Sequence, residues 1–239
     1  MRYPAGTQAL QAVDLDVRAG ELLVVLGGNG CGKTTLLRCL TRALTPSAGQ
    51  VWLNGIDLAE LTGEKLRRCR LELAMIWQQA ALVRRRSVLA NVACGALGRQ
   101  RGLWTSLGGV PAAELPAARD CLAEVGLVHL AAQRAGTLSG GQAQRVSIAR
   151  ALLQRPSVVL ADEPVASLDP EAANEIMRLL RRLAHDDGLA VLCVLHQVDL
   201  ALGFADRLIG MRAGQIVFDR ASETVSPNEV QALYLPRAA

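Results

Sequence analysis

The sequence predicts an α/β fold with a mainly parallel central sheet. Short apolar runs of strand length alternate with stretches in which leucines recur at helical spacing. The clearest run is Leu22–Leu26, which is apolar throughout, as expected of a parallel strand covered on both faces. Two later runs, at 158–161 and 191–195, end directly in polar side chains. Ligands of open α/β sheets bind at this carboxyl edge, so we expect a functional site there.

The segment after the first strand fits a phosphate-binding loop. Residues 27–35 contain a Gly, four residues and then Gly-Lys-Thr, and a run with leucines at helical spacing follows. Glycine N–H groups would surround phosphate oxygens, Lys33 would contact the β- and γ-phosphates of ATP, and the Thr34 hydroxyl would ligate Mg²⁺. A chance glycine-rich turn is the alternative, and the flanking strand and helix count against it. The predicted nucleotide-binding residues are Gly27, Gly28, Asn29, Gly30, Cys31, Gly32, Lys33, Thr34 and Thr35.

Composition excludes several classes of protein. The chain has 239 residues, of which 51% are apolar, enough for a sizeable core. No stretch approaches the roughly 18 uninterrupted apolar residues of a membrane span, and no basic segment with an apolar run marks a secretion signal. The net charge of +4 is too small to indicate a nucleic-acid partner, and the six cysteines lack metal-ligand spacing.

The first part of the chain predicts strands joined by turns. Apolar residues alternate with polar ones at 13–17, which predicts a half-exposed strand. Residues 51–53 lead into a tight turn at Asn54-Gly55. Residues 73–77 form a further apolar run, and Gln78 follows it.

The middle of the chain is Ala-rich and predicts helices, and the last part returns to alternating strands and helices. The middle contains helices at 88–97 and 116–125, a Gly-rich loop at 98–111, and a third helix from about 140 to the residues before Pro156. In the last part, Asp169-Pro170 is a good N-cap and first-turn pair. Its helix has an apolar stripe of Ile176, Leu179, Leu180 and Leu183, and a hairpin joins 208–211 to 215–219.

Four polar side chains follow predicted strands. Asp162 would hold Mg²⁺, and Glu163 would orient or deprotonate the attacking water. An acidic turn is the alternative for this pair, and it is the weaker one beside a phosphate-binding loop. His196 would contact the γ-phosphate, and Gln78 would reach Mg²⁺ or the water.

A second phosphate-binding device lies at the start of the third middle helix. It consists of Ser139, Gly140, Gly141 and Gln142, in which a hydroxyl, two glycine amides and a helix N-terminus converge. An ordinary Ser N-cap is the alternative, but a cap does not require two glycines, which destabilise a helix. Two phosphate sites in one chain suggest that the second serves the ATP of a partner.

These motifs, in this order, resemble those of the ATP-binding cassette (ABC) family over essentially the whole chain. The resemblance rests on the phosphate-binding loop, Gln78, the Leu-Ser-Gly-Gly-Gln signature at 138–142, Asp162-Glu163, Ser167-Leu168-Asp169 and His196. It implies a head-to-tail dimer with two ATPs, each held between the loop of one subunit and the signature of the other. Asp169 would lie in the loop that couples the two sites, and Tyr3 would stack on adenine.

The resemblance also implies a P-loop NTPase of the ABC ATPase type, in one domain over 1–239. Residues 1–79 and 156–239 would form a RecA-like core with an antiparallel β part, and residues from about 80 to 155 a helical subdomain. The family usually has a strand before its adenine-stacking aromatic, whereas only two residues precede Tyr3 here. We therefore expect an unpaired edge in the antiparallel part.

Within the family, the chain resembles the ATPase subunits of phosphonate importers. The residues that carry this resemblance lie at 78–79, 82–85, 87–89, 161–170, 195–201 and 205–210. It implies Mg²⁺ with ATP, membrane permease subunits as partners, an indirect periplasmic or extracellular substrate-binding protein, and a place on the cytoplasmic face of the inner membrane. The alternatives are import of phosphite or another oxyanion, a soluble ABC ATPase outside transport, and a non-hydrolysing regulatory module.

Overall fold

The central sheet has six strands, five of them parallel. The computed structural model describes residues 1–3, 6–100 and 112–234. Within them the strand order is β4-β5-β6-β1-β7-β8, and only β8 runs antiparallel, so the prediction of a mainly parallel sheet is confirmed. The strands are β1 (Leu22–Leu26), β2 (Trp52–Leu53), β3 (Ile56–Asp57), β4 (Leu73–Ile76), β5 (Val158–Asp162), β6 (Ala190–Val194), β7 (Arg207–Arg212) and β8 (Gln215–Ala221).

Some of the described helices cover the sheet, and others pack together as a group. They are α1 (Lys33–Leu40), α2 (Gly63–Leu71), α3 (Val88–Ala93), α4 (Leu115–Glu124), α5 (Gly140–Leu153), α6 (Pro170–His185), α7 (Val198–Phe204) and α8 (Pro227–Ala232). Short 3₁₀ segments lie at Leu58–Glu60, Cys94–Arg99, Ala112–Glu114, Val128–Leu130, Ala135–Thr137 and Ser222–Thr224. Helices α3, α4 and α5 pack against one another, and α5 also packs against β4. None of the described helices is long and apolar enough to cross a membrane.

The core lies on both faces of the sheet, which explains why β1 is apolar throughout. Leu22, Val24 and Leu26 join the larger apolar cluster, which includes residues of α3 to α6. Leu23 and Val25 point the other way and pack with α1. Because successive side chains of a strand alternate in direction, a strand buried on both faces has no polar position.

The structure confirms one prediction about the first part of the chain and contradicts another. The tight turn predicted at Asn54-Gly55 is confirmed, since it joins β2 to β3, and this small sheet has only these two strands in the described residues. The strand predicted at Val13, Leu15 and Val17 is wrong. Its side chains do alternate in burial, but no described strand pairs with it. Alternating apolar and polar residues indicate only that one face of the segment is apolar. A strand also needs a neighbouring backbone to pair with.

Other boundaries differ because apolar spacing does not mark helix ends. Helix α1 stops at Leu40, although the leucines at helical spacing that predict it continue to Leu44. The helix predicted at 88–97 turns into a 3₁₀ segment after Ala93. Most of the predicted loop at 98–111 lies outside the described residues. Helix α2 escaped prediction because none of its residues is fully buried, which leaves no apolar stripe to detect.

Candidate active site

The predicted chemical groups meet at the carboxyl edge of four parallel strands. The phosphate-binding loop leaves β1, Asp162 and Glu163 end β5, His196 follows β6, and Gln78 follows β4. Strand β6 lies between β1 and β5, so the loop, the carboxylates and the imidazole come from adjacent strands. This is the edge at which ligands of open α/β sheets bind.

The loop requires glycine at positions with little room and unusual backbone angles. Gly32 has φ +112° and caps α1, and a Cβ there would lie 2.5 Å from the carbonyl oxygen of Ala9. Gly30 has φ +73°, a conformation that glycine adopts without strain. Cys31 is buried, and its Sγ lies 3.9 Å from Lys33 Nζ, so the thiol faces the interior of the loop.

Lys33 is buried, and its ammonium group is held over the loop. Its Nζ donates hydrogen bonds to the carbonyl oxygens of Gly27 at 2.7 Å and Gly28 at 3.2 Å. A buried ammonium needs such partners because its charge has lost water. Tyr3 also reaches this region, since its hydroxyl lies 3.1 Å from the Thr35 hydroxyl.

Glu163 and His196 are in direct contact. His196 Nε2 lies 2.6 Å from Glu163 Oε1, a short separation between a carboxylate and an imidazole. Glu163 has φ +50°, which is uncommon for a residue with a side chain. Its N–H donates to the Val194 carbonyl at 3.1 Å, which ties the end of β5 to the end of β6. The unusual backbone angle therefore occurs where the carboxylate is aimed at the imidazole.

Asp162 has the environment of a carboxylate that is costly to ionise. Burial raises its pKa first and the neighbouring Glu163 carboxylate second, while Lys33, Arg38 and His196 act in the opposite direction. A divalent cation would relieve this cost. No group of three His, Cys, Asp or Glu side chains suited to a metal occurs in the described parts of the chain. Mg²⁺ is commonly held by one or two protein groups together with oxygens of a bound nucleotide.

The Thr34 and Gln78 side chains are exposed at this edge. Helix α5 fixes the loop around Gln78, because Gln144 Nε2 donates to the Trp77 carbonyl at 3.0 Å and Arg150 donates to the Ala80 carbonyl at 2.8 Å. The position of Gln78 therefore depends on the helix that begins at the Ser-Gly-Gly-Gln segment.

The Ser-Gly-Gly-Gln segment has a complete local explanation. Ser139 Oγ accepts a hydrogen bond from the Gln142 N–H at 3.3 Å, and Gln142 Oε1 accepts one from the Ser139 N–H at 3.0 Å, which is a capping box. Cβ atoms at Gly140 and Gly141 would lie 3.2 Å from Leu168 and 3.0 Å from Ala172. The two glycines thus let α5 approach the first turn of α6 and the turn before it. Packing accounts for them without a phosphate, so the role toward a partner's ATP stays a prediction.

Asp169 lies in that turn and caps α6. Its Oδ1 accepts a hydrogen bond from the Ala172 N–H at 3.0 Å, as the sequence predicted. Because Leu168 also faces Gly140, Asp169 lies beside the start of α5.

Tyr234 is a contact of this edge that the sequence did not indicate. Its hydroxyl donates a hydrogen bond to the His196 carbonyl oxygen at 3.4 Å. It is 38 residues away from His196 and belongs to no recognisable motif, so no local signal points to it.

The chain matches the family model described as "ABC transporter" over residues 10–166. It is 44% identical to the "Phosphonates import ATP-binding protein PhnC 2" of Synechococcus sp. (strain JA-2-3B'a(2-13)) over 98% of this chain and 87% of the relative. It is 48% identical to the "Phosphonates import ATP-binding protein PhnC" of Frankia casuarinae over 95% of this chain and 90% of that protein.

The fold is similar to solved ATP-binding cassettes. One is the dimeric structure of a post-hydrolysis state of the ATP-binding cassette MJ0796 bound to ADP and Pi. It superposes with a TM-score of 0.77 at 31% identity, over 90% of each chain. On the extent of the family match and the identity to its members, this chain belongs to the ABC transporter family and carries its ATPase domain.

Proposed function

We propose that this chain is the ATP-hydrolysing subunit of an ABC importer for phosphonates. The observation that carries the proposal is the 2.6 Å contact between Glu163 and His196, beside a loop that holds Lys33. Relatives at 44% and 48% identity, named as phosphonate import ATP-binding proteins, supply the substrate class. A non-hydrolysing regulatory module would have no need of a carboxylate and imidazole in contact at this edge.

The residues divide the chemistry between them. The loop amides at 27–35 and Lys33 bind the phosphates of ATP, and Glu163 accepts the proton of the attacking water or orients it. His196 contacts the γ-phosphate and holds the Glu163 carboxylate in place. Thr34, Gln78 and Asp162 are the residues that would hold Mg²⁺, whose charge offsets that of the phosphates. The products are ADP and phosphate.

Two copies of the chain form a head-to-tail dimer in this proposal. Each ATP lies between the phosphate-binding loop of one copy and Ser139, Gly140, Gly141 and Gln142 of the other. Tyr3 stacks on adenine, and Asp169 connects the two sites. The dimeric structure of MJ0796 supports this arrangement, because it is a relative of similar fold.

The dimer drives membrane permease subunits from the cytoplasmic face of the inner membrane. A substrate-binding protein outside that membrane delivers the phosphonate, and no nucleic acid is involved. Residues 1–79 and 156–239 act as the ATP-binding core, and those from about 80 to 155 as the helical part that carries the Ser-Gly-Gly-Gln segment.

A growth experiment tests the function. The chain replaces the phosphonate-import ATP-binding subunit of a bacterium that is given methylphosphonate as its only phosphorus source. We expect the wild-type chain to restore growth and Glu163→Gln to fail, because the variant keeps the phosphate contacts and loses the base. Loss of a general base slows turnover by about 10²- to 10⁴-fold, which is measured on the purified proteins.

Glu171→Gln is the matched control, since Glu171 is exposed in the first turn of α6. It undergoes the same change of charge and is expected to grow and hydrolyse ATP as the wild type does. Failure to grow on methylphosphonate, with ATP hydrolysis intact, would mean that the chain does not couple to a phosphonate permease. Growth on phosphite in a second host, whose phosphite importer has been given this chain as its ATPase subunit, would then assign the chain to oxyanion import. Growth in neither host would favour an ABC ATPase outside transport.

A further inference from the structure

The end of the described chain is folded back onto the candidate active site. Helix α8 begins with a capping box between Ser226 and Glu229, and Val230 on its inner side is fully buried. Arg220 of β8 lies 2.5 Å from the Glu229 carboxylate, and these contacts hold the Glu229 pKa down at about 2. Helix α8 packs against α7, which starts two residues after His196. The helix is therefore attached to the sheet and to the segment that carries His196.

Tyr234 follows this helix and lies between the phosphate-binding loop and His196. Its hydroxyl donates to the His196 carbonyl at 3.4 Å. Burial raises the pKa of Tyr234, the Gly27 backbone acts in the opposite direction, and the nearby Cys31 and Glu163 raise it further. The preceding residue, Leu233, is buried, and its carbonyl oxygen would lie 3.7 Å from a Cβ at Gly28. The end of the described chain thus contacts the phosphate-binding loop through Leu233 and the His196 backbone through Tyr234.

The backbone of His196 needs such a fixed point. The neighbouring Leu195 N–H is held by the Val25 carbonyl at 3.1 Å, and regular helix begins only at Val198. His196 lies in the short connection between them. A side chain that must keep a 2.6 Å contact with Glu163 works best if its backbone cannot shift.

We propose that Tyr234 is a positioning residue for ATP hydrolysis, which holds the His196 backbone against the phosphate-binding loop. This inference rests on the proposed function, because it assigns Tyr234 to the same site. Tyr234 touches no reacting atom in this assignment. It acts through the position of the imidazole and, through that, of the Glu163 carboxylate.

The test is Tyr234→Phe in the full chain, with kcat, KM for ATP and Tm all measured. The variant loses only a hydroxyl, so the ring and the packing of α8 remain. We expect kcat to fall about three- to tenfold, as is typical for the loss of one hydrogen bond. We expect KM to change by less than about twofold, and Tm by less than ~2 °C. A merely structural role would lower Tm and leave kcat per folded molecule unchanged.

Tyr3→Phe is the matched control, because Tyr3 is the other of the two tyrosines and its hydroxyl contacts Thr35 instead. Each tyrosine variant is combined with His196→Ala. Tyr234→Phe should have no further effect in that background, since it acts through the imidazole. Any change in kcat that Tyr3→Phe causes should be the same with and without the His196 imidazole, because the energetic effects of substitutions at separate sites add.

Three results would overturn the inference. The first is an unchanged kcat, and the second is a full Tyr234→Phe effect without the His196 imidazole. The third is a raised kcat, which would mean that the phenol blocks the site. The proposed function fails separately, if the wild-type chain itself does not hydrolyse ATP or restore growth.

Discussion

The charged form of Asp162 that would bind a metal ion is disfavoured by the surrounding fold. Its carboxylate lies in a partly buried position beside a second carboxylate, and both features raise its pKa. A raised pKa means that the folded state disfavours the charged form. Carboxyl groups with a raised pKa are common at sites that bind a ligand or carry out a reaction. The cost should be measurable in the protein without nucleotide.

Asp162→Asn should therefore raise Tm at neutral pH while it abolishes ATP hydrolysis. The folded carboxyl binds its proton more tightly than the unfolded one, so stability falls as the pH rises from the ordinary carboxyl pKa through the raised value. Above that window the full cost persists, and asparagine removes it. Each kcal/mol corresponds to roughly 2–4 °C in a domain of this size. Thermal melts at several pH values measure the difference, which should vanish toward acid pH.

Asp14→Asn is the control for this change. Asp14 is exposed, so its removal should leave Tm nearly unchanged at every pH. A lower Tm for Asp162→Asn at neutral pH would contradict the interpretation. It would mean that attraction by Lys33 and Arg38 outweighs burial.

At the scale of elements, the sequence predicted those strands and helices that bury an apolar face. β5, β6 and the ends where Asp162 and His196 lie were predictable, because a strand covered on both faces is apolar at every position. Helix α2 and the 3₁₀ segments carry no such pattern. The Tyr234 contact was beyond prediction for another reason, since it depends on the packing of α8 rather than on any local motif.

Two glycines show how differently elements tolerate a side chain. A Cβ at Gly95 would collide with the Arg150 carbonyl oxygen of α5, whereas one at Gly203 in α7 would meet nothing within 4 Å. The first glycine lets the 3₁₀ segment that follows α3 approach α5. At the second position, no neighbouring atom requires the residue to be glycine.

Gly95→Ala should lower the free energy of unfolding by about 1–3 kcal/mol, because α5 must move away. Gly203→Ala is its control and should raise it by roughly 0.5–1 kcal/mol, since alanine favours helix. Urea melts of the two purified variants give both values. Equal effects in one direction would show that the separation of α3 and α5 is not fixed by Gly95.

At the scale of the whole molecule, the Ser-Gly-Gly-Gln segment is explained within one chain by capping and packing. Only an experiment on two chains can reveal whether it also serves a partner's ATP. A head-to-tail dimer makes a distinctive prediction here, because each site takes its parts from both copies.

Lys33→Ala and Gly141→Glu should each lack ATPase activity, yet an equal mixture should recover it. Half of all dimers in the mixture contain one variant of each kind, and each of those has one site with both parts intact. About a quarter of wild-type activity should return if the sites act independently. The measurement is phosphate release against mixing ratio. A mixture as inactive as its components would rule out shared sites, provided that native mass spectrometry detects the mixed dimer.

The strand order also has a consequence for synthesis. Both neighbours of β1 come late in the chain, since β6 begins at Ala190 and β7 ends at Arg212. A nascent chain on the ribosome therefore presents the phosphate-binding loop and its wholly apolar strand long before either neighbour has been translated. Unpaired apolar strands of this kind invite association with other chains. We therefore expect the central strand to need shielding during translation, and a fragment made by an early stop codon to aggregate rather than fold as a smaller cassette.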